Sequence, residues 1–505
     1  MKKILFVPLD ERPCNRLYPE YMIKTRLDLE LVQPPLEMLG HKKEKANISQ
    51  IRQFVLENSQ ACDAMVLSLE MLFYGGLLPS RLHHEDTIYQ QECLNYLRQI
   101  RQMNPEKPIY AFQLIMRTPR YSSNDEEPEY YGEYGHEIFR RAYLRDKQER
   151  DGLTEAEKIA LEALNSNIPE AYIVDYETRR RYNLELNLAV LDLVKEGVID
   201  FLAIPQDDSC EYGYTSMDQK QVSQKLTQLR LQRRVMMYPG ADEAGSSLIA
   251  RAVSELDGKR TKVYPYYAST LGPTLIPLYE DRIMQESLKS HLQVCRCEWV
   301  SSPEQAEFIL AINCPGKVMQ EASEQKQKDI SYASFRNLNA FLDAMERYMQ
   351  MGKKVVLADC AFANGGDMEL IEMLDESHLL DHLYSYKGWN THGNTLGTSI
   401  AQMVILNSDA VNTKAVIHNL MYHLIEDGFY QAIVRKETTD ALRPPLNYFD
   451  LANQQKEVVR VEEKRLRELV HTTFPFSFKD HTIERLHVYH PWNRMFEIGM
   501  ELWLS

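Results

Sequence analysis

Near its amino end the sequence reads Lys3-Ile4-Leu5-Phe6-Val7-Pro8-Leu9-Asp10-Glu11-Arg12-Pro13-Cys14-Asn15, an apolar run followed at once by charged and polar side chains. The same order recurs along the chain, because later apolar runs are also followed by acidic residues, at Glu70, Asp207, Asp242 and Asp359. In α/β folds the carboxyl ends of parallel strands lie on one face of the sheet, and ligands bind there. The sequence therefore predicts one large polar site, of the kind that enzymes have, assembled from distant parts of the chain.

The composition is that of a globular protein and excludes several kinds of partner. The 505 residues, 44% of them hydrophobic, are enough for two or three domains. The net charge of −15 and the pI near 5.5 argue against binding to nucleic acid or to anionic membranes, both of which need a basic surface. No apolar stretch approaches the roughly 18 residues of a membrane span, and the first apolar run breaks too early for a signal peptide. We expect a cytoplasmic protein, and the sequence leaves its oligomeric state open.

The eight cysteines are scattered along the chain, and none forms a CxxC pair. Cys295 and Cys297 lie close enough for a metal or redox role, which stays open as an alternative. Scattered cysteines in a cytoplasmic protein are typical of reduced thiols. We therefore expect no resident metal or cofactor.

Apolar runs of strand length alternate with helical patterns, which is the rhythm of parallel α/β folds. We predict ten strands, near residues 3–9, 29–33, 64–69, 109–116, 200–205, 234–238, 262–268, 307–313, 354–358 and 383–387. We predict one helix that opens at the capping-box sequence Thr154-Glu155-Ala156-Glu157, and others over 178–196, 216–231, 243–256, 325–351 and 410–435.

The number of predicted strands decides the expected architecture. Seven strands precede residue 270, which favours a (β/α)8-barrel-like α/β domain over residues 1–271. A second, smaller α/β lobe over residues 272–440 would follow, with a helical carboxyl-terminal extension over residues 441–505 packed on the body. A single doubly wound sheet is the alternative.

The adjacent pair Asp207 and Asp208 is the strongest catalytic signal in the sequence. At a strand end two neighbouring carboxyl groups point in different directions and can take different roles. Like charges that lie close together raise one of the two pKa values, which leaves a protonated acid beside an ionised partner. This arrangement suits general acid and base chemistry at an acetal or an ester. The alternative is that Asp208 only caps the following turn or helix.

Other polar residues at predicted strand ends are expected to bind the substrate. An arginine there can bind an anionic or hydroxylated ligand, and a Gly-Gly turn lets the backbone approach one. The alternative is an internal network of ion pairs that stabilises the loops. These residues are Asp10, Arg12, Asn15, Glu70, Arg81 and Arg117.

Two further acidic segments have both functional and structural interpretations. Asp242 is expected to hold a substrate hydroxyl or a metal, whereas Glu243 could simply favour the start of the following helix. Asp359 and Asn364 could bind the substrate or, with Asp367, a hard cation. The alternative for this second segment is a turn followed by a helix cap at Asp367.

Two segments carry the aromatic and amide groups expected of a sugar site. In the segment 388–397, Trp389 can stack on a polyol ring, Asn390 and Asn394 can hydrogen-bond to it, and the glycines allow close approach. The acidic, tyrosine-rich loop 119–135 is expected to be either a lid that stacks on the ligand or a solvated surface loop.

The segments Val7-Pro8-Leu9-Asp10-Glu11-Arg12-Pro13-Cys14-Asn15, Pro239-Gly240-Ala241-Asp242-Glu243 and Gly388-Trp389-Asn390-Thr391-His392-Gly393-Asn394-Thr395 together resemble the bacterial DUF4127 family over nearly the whole chain. That family is named for having no known function, so the resemblance implies little chemistry. The Asp207-Asp208 pair also resembles, locally, the Asp-Asp pair of the substrate-assisted β-N-acetylglucosaminidases of glycoside hydrolase family 84. That likeness implies that Asp207 orients a substrate acetamido group and that Asp208 is the general acid and base.

Three functional hypotheses follow. The first is a glycoside hydrolase-type enzyme that acts on a small saccharide or N-acetylhexosaminide through Asp207 and Asp208. The second is a metal-dependent hydrolase with Asp10, Asp207, Asp242 and Asp359 as oxygen ligands. The third is a non-catalytic carbohydrate-binding protein. In all three the expected partner is a small, saccharide-like molecule.

Overall fold

The computed structural model describes all 505 residues, and its strands form two larger and two smaller sheets. All ten predicted strands are confirmed, although the fourth ends earlier than predicted. The strands are β1 (Lys2–Val7), β2 (Leu29–Val32), β3 (Ala64–Ser68), β4 (Ile109–Phe112), β5 (Phe201–Gln206), β6 (Val235–Pro239), β7 (Lys262–Tyr267), β8 (Glu298–Trp299), β9 (Phe308–Asn313), β10 (Gln320–Glu321), β11 (Lys354–Asp359), β12 (Phe362–Ala363), β13 (Ser385–Lys387), β14 (Ile483–Tyr489) and β15 (Gly499–Leu504).

Helices connect nearly all of these strands. The α-helices are α1 (Pro13–Lys24), α2 (Ile48–Ser59), α3 (Leu69–Tyr74), α4 (Thr87–Met103), α5 (Tyr131–Arg150), α6 (Glu155–Asn167), α7 (Glu170–Glu196), α8 (Tyr214–Leu229), α9 (Ala244–Leu256), α10 (Met284–Val294), α11 (Ser331–Ser334), α12 (Leu338–Gln350), α13 (Met368–Glu376), α14 (His392–Leu406), α15 (Thr413–His423), α16 (Arg435–Ala441) and α17 (Gln455–Thr473). A π-helix over Leu424–Val434 joins α15 to α16. Short 3-10 helices lie at Leu36–Met38, Pro79–Arg81, Gly272–Thr274, Pro303–Gln305, Ala322–Gln327 and Leu380–His382. None of the helices combines the length and the apolar character that crossing a membrane requires.

The local sequence explains where several helices begin. The predicted capping box is confirmed: the Thr154 hydroxyl accepts the Glu157 N–H at 3.3 Å, the Glu157 carboxylate accepts the Thr154 N–H at 3.0 Å, and α6 follows. The single helix predicted over 325–351 is wrong in its first half. The Asn337 side chain accepts the Ala340 N–H at 3.0 Å and starts α12 there, because an N-cap marks a new helix start.

The two larger sheets are parallel and share one strand order. The first sheet runs β2-β1-β3-β4-β5-β6, and the second runs β8-β7-β9-β11-β13. Counted in chain order within each sheet, both follow 2-1-3-4-5, and the first sheet adds a sixth strand at its edge. This is an order of doubly wound α/β folds, in which ligands bind beyond the carboxyl ends of the strands. Each sheet therefore has one edge of the kind at which ligands bind in such folds.

The (β/α)8-like barrel predicted for residues 1–271 is not confirmed. β2 and β6 form the two edges of the first sheet, and β7, although it precedes residue 271, pairs with β8 and β9 in the second sheet. The sequence does not indicate this because a buried parallel strand is apolar on both faces and its pattern does not specify its neighbours. The division of the chain at residues 271 and 440 stays a prediction.

Three apolar cores lie on and between the sheets. One core contains Phe6 from the first sheet and Leu310 from the second, together with side chains of α9, α10 and α14. The alternate residues Leu5 and Ile309 face two separate outer cores. The helices α9, α10 and α14 therefore form a layer between the two sheets and hold them in one body.

The carboxyl-terminal segment is only partly helical. The predicted helical extension contains α17, but β14 and β15 then pair antiparallel. In the segment that connects these strands, Trp492 is 1% exposed and packs in the core between the two larger sheets. The aromatic end of the chain therefore packs on the body, as predicted.

Helix α14 approaches its neighbours closely at two glycines. A Cβ atom on Gly393 would lie 2.8 Å from the Pro239 carbonyl oxygen, and one on Gly397 would lie 2.2 Å from Cγ of Glu243. These glycines were expected to let a ligand approach. They instead let α14 pack against the end of β6 and the start of α9.

We expect Gly397→Ala to lower the free energy of unfolding by about 1–3 kcal/mol, because the methyl group overpacks the interface between α14 and α9. Urea unfolding measures the change. Gly132→Ala in α5 is the matched control, since its Cβ would meet only the Asn124 side chain, at 3.3 Å. An equal effect of the two substitutions would contradict the proposed close packing.

Candidate functional site

A cavity of about 540 Å³ lies where the carboxyl ends of the two sheets face each other. The loops that follow β1, β4, β5 and β6 line one side, and the loops that follow β11 and β13 line the other. Nine of the residues predicted for the site line this cavity. They are Arg12, Arg81, Arg117, Asp207, Asp208, Asp242, Asn364, Asn390 and Asn394.

Asp207 and Asp208 follow β5 and have different surroundings in the same cavity. Arg81 donates to Asp207 at 2.8 Å, whereas Arg117 lies 3.4 Å from Asp208. Burial, and then the neighbouring charge of Asp207, raise the pKa of Asp208 to about 6. Asp208 also has a φ of 47°, a left-handed conformation that is uncommon for a residue other than glycine. The pair therefore offers an acid that is half protonated near pH 6 beside a carboxyl group held by an arginine.

Glu126, in the loop after β4, joins three arginines at the cavity wall. It accepts from Arg81 at 3.0 Å, from Arg117 at 2.8 Å and from Arg494 at 2.5 Å. Burial raises the pKa of Glu126, but the three guanidinium groups outweigh it and hold that pKa well below its usual range. The adjacent Glu127 pairs with Arg117 at 2.8 Å. The alternative interpretation of a loop-stabilising ion-pair network therefore applies to Arg81 and Arg117.

Arg12 links the end of β1 to the end of β6. Its guanidinium group donates to Asp10 at 2.8 Å and to Asp242 at 2.6 Å, and the Asn15 amide donates to both carboxylates at 2.9 Å. The ring of Trp492 lies 4.6 Å from the Arg12 guanidinium carbon. Asp10 and Asn15 do not line the cavity, so they position Arg12 and Asp242 instead of binding a ligand as predicted.

Glu70, predicted to bind the substrate, lies behind the cavity. It is 3% exposed, and one carboxyl oxygen accepts the Leu114 N–H at 2.7 Å while the other has no partner. Burial raises the pKa of Glu70 to about 8, although that hydrogen bond opposes the shift. Glu70 does not line the cavity, so it is not in position to contact a ligand there.

Trp389 is placed differently from the prediction, whereas Glu243 has the structural role at the start of α9 that the sequence offered for it. Glu243 is fully buried, accepts the Ala241 N–H at 2.9 Å and packs under α14. Trp389 is 4% exposed and contacts the Tyr18 ring edge-on at 5.9 Å. Both side chains are buried in the protein interior, and neither lines the cavity.

Asp359 belongs to a separate buried network at the end of β11. It accepts from Asn313 at 2.9 Å, from Tyr386 at 3.0 Å and from the Asp367 N–H at 2.7 Å. Burial, and then the charge of Asp367, raise the pKa of Asp359 to about 6. Asp367 occupies the N-cap position of α13 but pairs with Arg336 at 2.6 Å instead of capping the helix. These contacts close the segment, and Asp359 does not reach the cavity as predicted.

The second sheet contributes amide groups with free hydrogen-bonding capacity. Asn364 donates to Glu321 at 2.9 Å, but its side-chain oxygen and that of Asn394 are buried without a partner. Asn390 makes no side-chain hydrogen bond. The φ angles of Asn364 and Asn390 are 57° and 63°, and that of Tyr279, whose hydroxyl also donates to Glu321, is 68°. Left-handed residues therefore cluster where the amides face the cavity.

The loop 119–135 is not the solvated surface loop of the second interpretation, and its role as a lid stays a prediction. Tyr121 lines the cavity, but Tyr130 stacks on Tyr172 at 4.7 Å and packs against α7. The sequence analysis missed Glu126 within this loop as the partner of three arginines. It also missed Arg435 and Arg494, which line the cavity from helices and loops far along the chain. No strand end precedes either arginine, so the strand-end signal did not find them.

One buried group of side chains could hold a metal ion. His423, Glu426 and Asp427 place ligand atoms within 4.8 Å of one another at the start of the π-helix. Tyr18 donates to Glu426 at 2.6 Å, and burial lowers the pKa of nearby Lys387 to about 7. This group lies outside the cavity.

Fold and cavity together define a two-sheet α/β protein with a polar cavity between the carboxyl ends of its sheets. Residues 4–501 match the family model described as Protein of unknown function (DUF4127), and the chain belongs to that family. A comparison with curated proteins finds no match. The resemblance to this family is thereby confirmed, and the likeness to glycoside hydrolase family 84 stays a prediction.

We expect Glu70→Gln to remove part of the pH dependence of stability. A carboxyl group whose pKa is raised from 4.5 to about 8 on folding loses stability as the pH rises between these values. At ~1.4 kcal/mol per pKa unit, this group costs the wild type about 4–5 kcal/mol over that interval. Urea unfolding across this pH range measures the difference.

The control is Glu162→Gln, since Glu162 is exposed on α6 and its side chain makes no hydrogen bond. This variant should keep the wild-type pH profile. If Glu70→Gln also keeps the wild-type pH profile, the Glu70 carboxyl group does not have the raised pKa described.

Proposed function

We propose that the protein is a hydrolase of the glycosidase type that acts on a small saccharide or N-acetylhexosaminide. Asp208 serves as the general acid, and Asp207 is its charged partner, which orients the substrate. One observation carries the proposal: two adjacent carboxyl groups line one cavity in unlike environments. Arg81 holds Asp207 at 2.8 Å, whereas the pKa of Asp208 is raised to about 6. When two neighbouring carboxyl groups have different environments, their pKa values move apart, so that one can act as an acid while the other is ionised.

The lining of the cavity supports a polyhydroxylated ligand. Asn364, Asn390 and Asn394 offer amide groups without full hydrogen bonding, and such groups pair with sugar hydroxyls. Tyr121 and Phe496 supply aromatic faces in place of the buried Trp389. The volume of about 540 Å³ lies in the usual range for small-molecule sites.

The metal-dependent alternative has less support. Of its four proposed ligands, Asp10 and Asp242 already share Arg12, and Asp207 is paired with Arg81. Asp359 lies in another network, so the four carboxylates do not form one ligand set. The alternative of a carbohydrate-binding protein differs from the glycosidase only in predicting no turnover. The next experiment distinguishes the two.

We expect Asp208→Asn to lower kcat/KM for alkyl glycosides by about 10²–10⁴, the usual contribution of a general acid. The loss for nitrophenyl glycosides should be smaller, because nitrophenolate leaves without a proton. Rates for both substrate classes, with folding checked by circular dichroism, measure this split.

Asp192→Asn is the matched control, since Asp192 lies on α7 outside the cavity and pairs with Lys225 at 2.7 Å. It should retain wild-type rates. Equal losses for the two leaving groups would reject general acid catalysis by Asp208. Ligand-induced stabilisation without any turnover would favour a binding protein.

We expect kcat/KM to fall as the pH rises above about 6, because only protonated Asp208 can donate to the leaving group. The slope should approach a tenfold loss per pH unit, since one ionisation is involved. Initial rates at low substrate concentration give the profile. A rate that stays constant well above pH 6 would assign the acid role to another group.

A further inference from the structure

Arg435 differs from every other cationic residue that lines the cavity. Arg12, Arg81, Arg117 and Arg494 each pair with carboxylates at 3.0 Å or less, and Lys436 pairs with Asp440 at 2.9 Å. Arg435 is 6% exposed and forms no ion pair. Its one hydrogen bond, to the Asn364 carbonyl oxygen, is 3.3 Å long. A charged donor group therefore faces the cavity almost unsatisfied.

Burial without a partner makes this arrangement costly in the free protein. A buried charge is destabilising unless it is paired and hydrogen-bonded. The ring of Phe496 lies 5.8 Å from the Arg435 guanidinium carbon and supplies only a weak compensation. A guanidinium group left in this state is suited to an anion that arrives with a ligand.

A second unsatisfied group lies on the same side of α16. Thr439 follows Arg435 by four residues, so the two side chains share one face of the helix. The Thr439 hydroxyl is buried without a hydrogen-bond partner, and Thr439 lines the cavity. A planar guanidinium group and a hydroxyl donor together match the oxygens of a carboxylate or a phosphate.

We propose that Arg435 and Thr439 form an anion subsite of the cavity, so that the ligand is an acidic sugar and not a neutral one. The acidic group is a carboxylate, as in a uronic acid, or a phosphate, as in a sugar phosphate. The sugar part of this inference rests on the proposed function, whereas the anion subsite rests on Arg435 and Thr439 alone.

The test compares the wild type with Arg435→Gln in a binding panel of monosaccharides. The panel contains glucuronate, galacturonate, glucose 6-phosphate, inorganic phosphate, glucose and galactose at constant ionic strength. Monosaccharides have no glycosidic bond to cleave, so binding is measured without turnover. Calorimetry and thermal shift give the affinities.

We expect at least one anion to bind the wild type, and to bind Arg435→Gln about 10–100-fold more weakly, as expected for loss of a charge-assisted hydrogen bond. Neutral sugars should bind both proteins equally. If the uronates bind more tightly than the phosphates, the acidic group of the ligand is a carboxylate. If the phosphates bind more tightly, it is a phosphate. The subsite is rejected if no anion in the panel distinguishes the two proteins.

Two further measurements separate binding from a structural role. Without ligand, Arg435→Gln should melt at or above the wild-type temperature, because it removes an unpaired buried charge. A clear drop would assign Arg435 to the fold. Arg443→Gln removes the same charge from an exposed arginine with no ion pair and should behave like the wild type.

The outcomes for the two proposals are independent. Binding that depends on Arg435, with turnover unaffected by Asp208→Asn, would retain the anion subsite and reject the glycosidase. Turnover that depends on Asp208, with no preference for anions, would support the glycosidase and reject the anion subsite.

Discussion

Ion pairing between buried arginines and carboxylates is the interaction on which the cavity depends. Loops from both sheets bring charged side chains into one partly dehydrated space, where an unpaired charge is strongly destabilising. Glu126 meets this constraint by accepting from three arginines, and Arg12 meets it by joining Asp10 to Asp242. Since Arg494 comes from the carboxyl-terminal segment, the same pairing also fixes that segment to the first sheet.

Asp208 and Arg435 are the exceptions to this pairing, and both line the same cavity. Burial and the adjacent charge of Asp207 raise the pKa of Asp208, and Arg117, 3.4 Å away, only partly offsets them. Arg435 has no carboxylate partner at all. Local rules of stability are broken most often at functional sites, where the ligand supplies the missing interaction. An acid and an unpaired cation in one cavity are the features expected of a site that binds and cleaves an anionic sugar.

The sequence predicted individual elements better than their assembly. All ten strands followed from apolar runs, because burial on both faces leaves a clear pattern. Their division between two open sheets did not follow, since that pattern does not state which strands pair. Residues at strand ends such as Asp207 and Asn390 line the cavity, whereas Trp389 and Glu70 are buried away from it. Arg435 and Arg494 were missed because helices and loops remote in sequence bring them to the cavity.

The most direct test of the central claim is a pH titration of the aspartate carboxyl carbons by NMR, with Asp208→Asn used to assign the signals. The account predicts one signal that titrates near pH 6 in the wild type and disappears in the variant. It also predicts that an acidic sugar changes the midpoint of that signal, because the ligand occupies the same cavity. Titration of Asp208 within the ordinary range of exposed aspartates, unaffected by any sugar, would contradict it.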